Sequence, residues 1–279
     1  MPGEFTVAVI GQLGSARKKI YRCEALPSGI LRQMKESSKT KKLRGFDTVS
    51  KFLNGRVIDI GAGNDLICPW AEGFDVSSGD ANRITQFKPQ ASYDAVCSSH
   101  CLEHMFEPEQ AIQEWWSLIK PGGYLVLTVP DEDLYEQGFF PSRFNADHKA
   151  TFRFRKAHTW SPKSHDVEQM VLALPDSQVI SCELQSDNYD LSLQFKPGNT
   201  RLQPRTVPSL YLKLEKKLGY SNAIAATWRR RLFLQGVPID QTHGDVLAQI
   251  QVVAKKRGGA STTPDGQAMN ISPTIVLND

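Results

Sequence analysis

Val57-Ile58-Asp59-Ile60-Gly61-Ala62-Gly63-Asn64-Asp65 is the stretch that decides the fold. Its first four residues form a short, mostly apolar run stopped by a glycine, the pattern of a strand buried on both faces of a parallel sheet. Glycines at 61 and 63 let the backbone turn sharply and come close to a ligand, because no Cβ is in the way. In α/β sheets ligands bind at the carboxyl ends of the strands. A DxGxG turn there reads either as a ligand platform or as a tight structural turn.

The neighbouring segments supply the rest of a sheet. Gly73-Phe74-Asp75-Val76 is a weaker second strand and Tyr93 to Cys97 a third. Glu107-Pro108 opens a helix: proline suits a first turn, and Ile112, Trp115, Trp116 and Ile119 share one face. Lys120-Pro121-Gly122-Gly123 ends it, and Tyr124 to Val129 is the clearest buried strand. Strand, loop, helix and strand in alternation predict an α/β fold. Further on, the patterns predict a helix from Asp166 to Leu174 and strands at Val179–Leu184 and Val246–Val253. An insertion at about 196–243 lies between those strands, with helices predicted at Pro208–Leu218 and Ala223–Leu234.

The flanks are less patterned. Residues 1–56 read as a helical or irregular extension, 57–257 as the main domain and 258–279 as a disordered tail. Val7 to Ile10 suits a short strand, but the Gly11-Gln12-Leu13-Gly14 after it lacks the middle glycine of a dinucleotide turn. Lys35 to Arg44 reads as a solvated basic stretch. Phe46, Val49, Phe52 and Leu53 recur at helical spacing before Asn54-Gly55.

Composition excludes several classes. Hydrophobic residues at 40% and charged residues at 23% fit a globular chain, not a disordered or fibrous one. No apolar run approaches the ~18 residues of a membrane helix. No basic-then-apolar leader opens the chain, so a cytoplasmic location is expected. Five cysteines, odd in number and never spaced as CxxC, argue against a disulfide scaffold or a four-cysteine zinc site. A net charge of +3 gives no general pull on nucleic acid.

After the glycine turn come, in order, Asp75, Asp80-Ala81, Tyr93-Asp94-Ala95-Val96, Leu102-Glu103-His104, Leu118-Ile119-Lys120-Pro121-Gly122-Gly123-Tyr124-Leu125 and Pro130. This set resembles the class I S-adenosylmethionine-dependent methyltransferases, in particular their small-molecule, type 11-like branch, over about 57–155 and 246–253. The resemblance implies a Rossmann-like, doubly wound, seven-stranded sheet, with the insertion as a substrate lid and S-adenosylmethionine as cofactor. It implies that Gly61, Ala62 and Gly63 lie under the methionine part, with Asp59 near its ammonium end. Asp75 would hold the ribose hydroxyls, Asp80 and Ala81 would lie beside the adenine, and Ser98 and Ser99 would face the methionine and the substrate. Two departures stand out. Asp65 replaces a third glycine, and only 12 residues separate Gly63 from Asp75, with five more to Asp80. The first crossover helix is therefore expected to be shortened, or replaced by the loop holding Cys68-Pro69-Trp70.

Two histidine clusters bear on catalysis. His100-Cys101-Leu102-Glu103-His104 matches the H-x-x-E-H of inverted zinc peptidases. Here it follows a strand, where the methyltransferase pattern has its own LxH, so no metal is expected and His104 is placed near the cofactor. Asp147-His148 lies after the strand at Tyr124–Val129. A hydroxyl nucleophile gains from losing its proton as it attacks, and a histidine beside an aspartate suits that task. His148 reads as that base or as a surface loop residue. Cys97-Ser98-Ser99-His100 stands where amino-methylating enzymes of nucleic acids carry Asn/Asp-Pro-Pro-Tyr/Phe. The expected acceptor is therefore a hydroxyl of a small molecule or a sugar, such as a surface-polysaccharide sugar. Trp228-Arg229-Arg230-Arg231 keeps an RNA methyltransferase as the alternative. The shortened crossover keeps a second alternative, a degenerate binding scaffold.

Overall fold

A computed structural model describes residues 37–40, 51–196, 209–220 and 222–258. The strand and turn expected at 7–14, Phe46, Val49 and the 259–279 tail lie outside the described residues.

The sheet is built from β1 (Val57–Ile60), β2 (Glu72–Phe74), β3 (Tyr93–Ser99), β4 (Ile119–Pro130), β7 (Ser177–Gln185) and β8 (Gln249–Lys256), in the order β2-β1-β3-β4-β8-β7. β5 (Thr151–Arg153) and β6 (Ser164–Asp166) form a separate parallel pair. The first four strands of the order run parallel, and β8 is antiparallel to β4 and β7. Both faces are covered. Ile58, Ile60, Val96, Leu125, Leu127, Ile250, Val252 and Ala254 turn to one core, and Val57, Ala95, Cys97, Val126 and Val253 to the other. This is the period of two that a doubly buried sheet demands.

Helix α1 (Pro108–Ser117) packs Ala111, Ile112, Trp115 and Trp116 into the first core. Both indoles are tied down, Trp115 Nε1 donating to Ala81 O and Trp116 Nε1 to Pro175 O, each at 2.8 Å. Helix α2 (Val167–Leu172) is capped by Asp166, which accepts from Gln169 N. Helices α3 (Ser209–Leu218) and α4 (Ala223–Leu234) form the insertion. Tyr211, Leu232, Val237 and Ile239 make their own small core.

Four expectations need correction. The main sheet has six strands among the described residues, where seven were expected. Asp75 to Ser92 must return the chain from β2 to β3, a parallel crossover that alone takes about a dozen residues. It forms 3-10 turns at Ala81–Gln86 and leaves no length for another strand. β8 begins at Gln249, not Val246. β4 begins at Ile119, not Tyr124, so Ile119 and Lys120-Pro121-Gly122-Gly123 belong to the strand and not to the helix end. The basic stretch is not simply solvated: 37–40 is a helical turn with Ser37, Lys39 and Thr40 buried. Between β1 and β2, as expected, a loop holding Cys68 replaces a crossover helix.

β2 and β3 flank β1 on opposite sides, so the order reverses between β1 and β3. That reversal opens a crevice at the strands' carboxyl ends. Ile60 and Ser98 are register partners there, which sets the glycine turn beside the serine pair.

Candidate active site

The turn after β1 is pinned from several directions. Gly61 N donates to Phe74 O at 2.8 Å and Asp65 N to Ala62 O at 2.9 Å. Asp59 is buried, and its Oδ2 accepts from Ile67 N at 2.6 Å, so it braces the loop from inside. Asp65 accepts from Ser38 N at 2.8 Å and Ser38 Oγ at 2.6 Å. The residue that departs from the glycine pattern thus fastens 37–40 to the turn, a contact with no signal in the sequence. Gly61 and Gly63 have φ of +79° and +54°, a region L side chains rarely adopt. An ideal Cβ on Gly63 would stand 3.6 Å from Asp75 Oδ2, so turn and acid face one another. Asp75 Oδ1 accepts from Val76 N at 2.6 Å.

Asp80 is placed differently. Its Oδ1 accepts from Asn82 N at 2.9 Å and Asn82 Nδ2 at 2.8 Å, capping the 3-10 turn, and these hydrogen bonds hold its carboxyl below the usual range. Asn82 Oδ1 in turn accepts from Phe106 N. Ala81 lies partly buried against the core under Trp115. Ser98 and Ser99 end β3 and are buried, and Ser99 Oγ has no hydrogen-bond partner among the described residues.

The H-x-x-E-H segment is not a regular helix. His100 has φ +54° and its N–H donates to Thr128 O, and only Leu102–His104 form a 3-10 turn. Glu103 is fully buried with imidazoles around it. Its Oε1 lies 3.5 Å from His100 Nδ1, 3.9 Å from His104 Nε2 and 3.9 Å from His148 Nε2. Burial alone would raise its pKa, but His100 and then His148 and His104 outweigh it and hold the carboxyl below its ordinary value.

His148 is buried, against the surface-loop reading, and is not paired with its sequence neighbour. Its Nδ1 lies 2.6 Å from Glu136 Oε1, on the π-helical turn Glu132–Glu136 that follows β4. Asp147 instead meets His104, Oδ2 to Nδ1, at 2.9 Å. The two imidazoles meet edge to face at 5.0 Å. Sequence reasoning missed Glu136, since nothing in an acid 12 residues before a histidine marks the pair. The cluster stands at the carboxyl ends of β3 and β4, on the same edge of the sheet as the glycine turn. A pocket lined by Glu109, Arg153, His165, Asp166 and Gln169 shares none of these residues. The arginine run does not make one basic face: Arg229 is buried, stacked 3.7 Å over Tyr220 and donating to Tyr220 O.

Residues 29–174, just over half of the chain, match the family described as "Methyltransferase domain". Comparison with curated proteins gives no match. Similar solved structures include the YcgJ protein of Bacillus subtilis, at 16% identity, 79% of this chain, 99% of that one and TM-score 0.44. A SAM-dependent methyltransferase of Archaeoglobus fulgidus has 15% identity, 79% and 94% coverage and TM-score 0.39. A possible histamine N-methyltransferase of Thermotoga maritima has 13% identity, 78% and 89% coverage and TM-score 0.41.

Proposed function

This chain belongs to the methyltransferase-domain family, and from that premise we propose that it is a class I S-adenosylmethionine-dependent enzyme of the small-molecule type that methylates a hydroxyl group of a small molecule or a sugar. The residues at the crevice fit the cofactor. Gly63 offers bare backbone beside Asp75, at a φ of +54° that L side chains rarely adopt. Asp75 spends Oδ1 on Val76 N and turns Oδ2 to the glycine side, where ribose hydroxyls can donate to it. Gly61 to Gly63 would lie under the methionine part, near Ser98 and Ser99, whose buried hydroxyls suit its polar end. Asp59 would serve that end by fixing the loop, and Asp80 and Ala81 would line the adenine side. When bound, S-adenosylmethionine supplies a methyl group on a positively charged sulfur.

The acceptor reading is carried by the Glu103–His104–His148 cluster at the same sheet edge. An oxygen nucleophile must shed a proton as it attacks, and buried imidazoles oriented by carboxylates are groups that hold and polarise a hydroxyl. A neutral amine needs no such apparatus. The geometry favours the cluster acting together over His148 as a lone base, because His148 is shielded and His104 is the more exposed member. Helices α3 and α4 serve as the substrate lid. Phe233 of α4 stacks edge to face on Phe195, which packs on Phe139 beyond β4. We keep 57–257 as the catalytic domain, with 37–40 docked on Asp65.

The test has two parts. Calorimetric titration with S-adenosylmethionine should show binding, and Asp75→Ala should weaken it by about 1.5–3 kcal/mol, the range for hydrogen bonds to a charged group. Asp80→Ala should mainly lower stability, by about 1 kcal/mol, as the loss of a cap does. A panel of hydroxylated and aminated acceptors with isotopically labelled methyl donor should give ethers, with His148→Ala slower by roughly 10²–10⁴-fold at unchanged cofactor affinity. Products methylated only on nitrogen, or only on RNA, would refute the acceptor assignment.

A further inference from the structure

Glu103, His104 and His148 come from two separate loops, yet their donor atoms lie within 4.8 Å of one another. What surrounds them fixes how they point. His148 Nδ1 is held by Glu136 and His104 Nδ1 by Asp147, at 2.6 and 2.9 Å. An imidazole that donates its Nδ1 proton to a carboxylate keeps a lone pair on Nε2, the arrangement that orients metal-binding histidines. Both Nε2 atoms then face one oxygen, Glu103 Oε1, at 3.9 Å. Glu103 is fully buried with no well-formed hydrogen bond to either oxygen among the described residues, and its nearest donor, His100 Nδ1, stands 3.5 Å from Oε1.

At 3.9 Å neither imidazole makes a direct hydrogen bond to Glu103, which leaves a gap between the three groups. Ligands of one cation at ~2.0–2.2 Å stand about 3.3 Å apart in a tetrahedral site. The two contacts to Glu103 at 3.9 Å would close by about half an ångström to reach that spacing, and no pair within the 4.8 Å spread by more than about 1.5 Å.

We infer that Glu103, His104 and His148 form a site for one divalent first-row transition cation, with Glu136 and Asp147 orienting the two imidazoles. Two imidazoles and one carboxylate suit zinc, iron(II), cobalt or manganese, and three protein ligands leave positions open for a substrate. The H-x-x-E-H spacing alone would pair His100 with His104. The fold uses His148 in place of His100, whose Nε2 lies 2.9 Å from Gln249 Oε1. His104 is the partly exposed ligand, so the open positions lie on its side. One further step rests on the proposed function: an acceptor hydroxyl bound there would be held and made more acidic, its proton passing to solvent water.

The full chain, free of any tag and dialysed against EDTA, would be titrated with zinc chloride by calorimetry and with cobalt chloride by visible absorption. One equivalent should bind, with cobalt d–d bands. His104→Ala and His148→Ala should each weaken zinc binding at least ~10-fold, and Glu136→Gln by roughly 10–100-fold. His165→Ala, whose ring pairs with Glu109 away from the cluster, should leave it unchanged. If His148→Ala does not fold, the partly exposed His104→Ala decides. Absence of stoichiometric binding by the wild type, or equal zinc affinity in His104→Ala, overturns the site. A chain that binds S-adenosylmethionine and neither metal overturns the cation site alone. One that binds metal and no S-adenosylmethionine overturns the functional reading alone.

Discussion

An ideal Cβ on Gly61 would stand 2.5 Å from Cys101 Cβ and 2.6 Å from its Sγ, at a backbone φ of +79°. The missing side chain is therefore taken up by packing within the protein, not only by room for a ligand. Burial drives the Cys101 thiol up to about 12, so it fills space there and does not react. Gly61→Ala should cost about 2–4 kcal/mol in urea unfolding, from the left-handed backbone and the overlap together. Paired with Cys101→Gly, the two changes should be less damaging than their sum by ~1 kcal/mol or more. Strict additivity would show that the overlap is not what excludes a side chain. The DxGxG turn was legible in the sequence because strand, acid and glycines are contiguous. The partner of its first glycine was not, because Cys101 arrives from the end of another strand. Asp147-His148 carries the same lesson: neighbours in a loop point apart, so adjacency paired the wrong acid with the histidine.

At the scale of elements, apolar period and punctuation located β1 and α4 well, since each depends on its own residues, while Ile119 to Gly123, read as the end of α1, open β4 instead. Sequence pattern failed where an element is set by its partners. The turn at 37–40 is buried because Asp65 and Thr242 receive it, and β5 and β6 are three-residue strands with no period to read. Asp131, which caps the π-helical turn after β4, shows how such an element is held. Its Oδ1 accepts from Asp133 N at 3.0 Å and Leu134 N at 2.9 Å, while burial raises its pKa from 3.8 to about 6. Between pH ~4 and ~6 the native state keeps a proton that the unfolded chain has released. Stability must therefore fall as pH rises through that window, by on the order of 3 kcal/mol. Asp131→Asn keeps the capping oxygen and removes the titration. The variant should match the wild type near pH 4 and exceed it at pH 7 in denaturant unfolding. A difference that stays flat with pH would mean the carboxyl is not desolvated in the native state.

Across the whole molecule, stability and site divide unevenly. The sheet and α1 share one continuous core, whereas among the described residues α3 and α4 have a small core of four residues and reach the rest through few aromatic contacts. Phe233 meets Phe195 edge to face at 5.3 Å, and Phe195 meets Phe139 at 5.8 Å. Gln137 Nε2 adds a hydrogen bond to Ile239 O at 2.8 Å. Such an element should open by itself, at a fraction of the global unfolding free energy. A lid needs that property, and a packed scaffold does not. Phe233→Ala removes the ring that joins the helices to Phe195. Because Phe233 is only partly buried, the cost should be about 1–3 kcal/mol, below that of a full core truncation. Amide hydrogen exchange should then speed up in α3 and α4 by one to two orders of magnitude, about what that energy buys at 1.4 kcal/mol per tenfold. Protection in β1, β3, β4 and β8 should not change, and neither should affinity for S-adenosylmethionine. If protection falls equally in the strands, the insertion unfolds with the core as one cooperative body, and it cannot work as an independently moving cover for the acceptor.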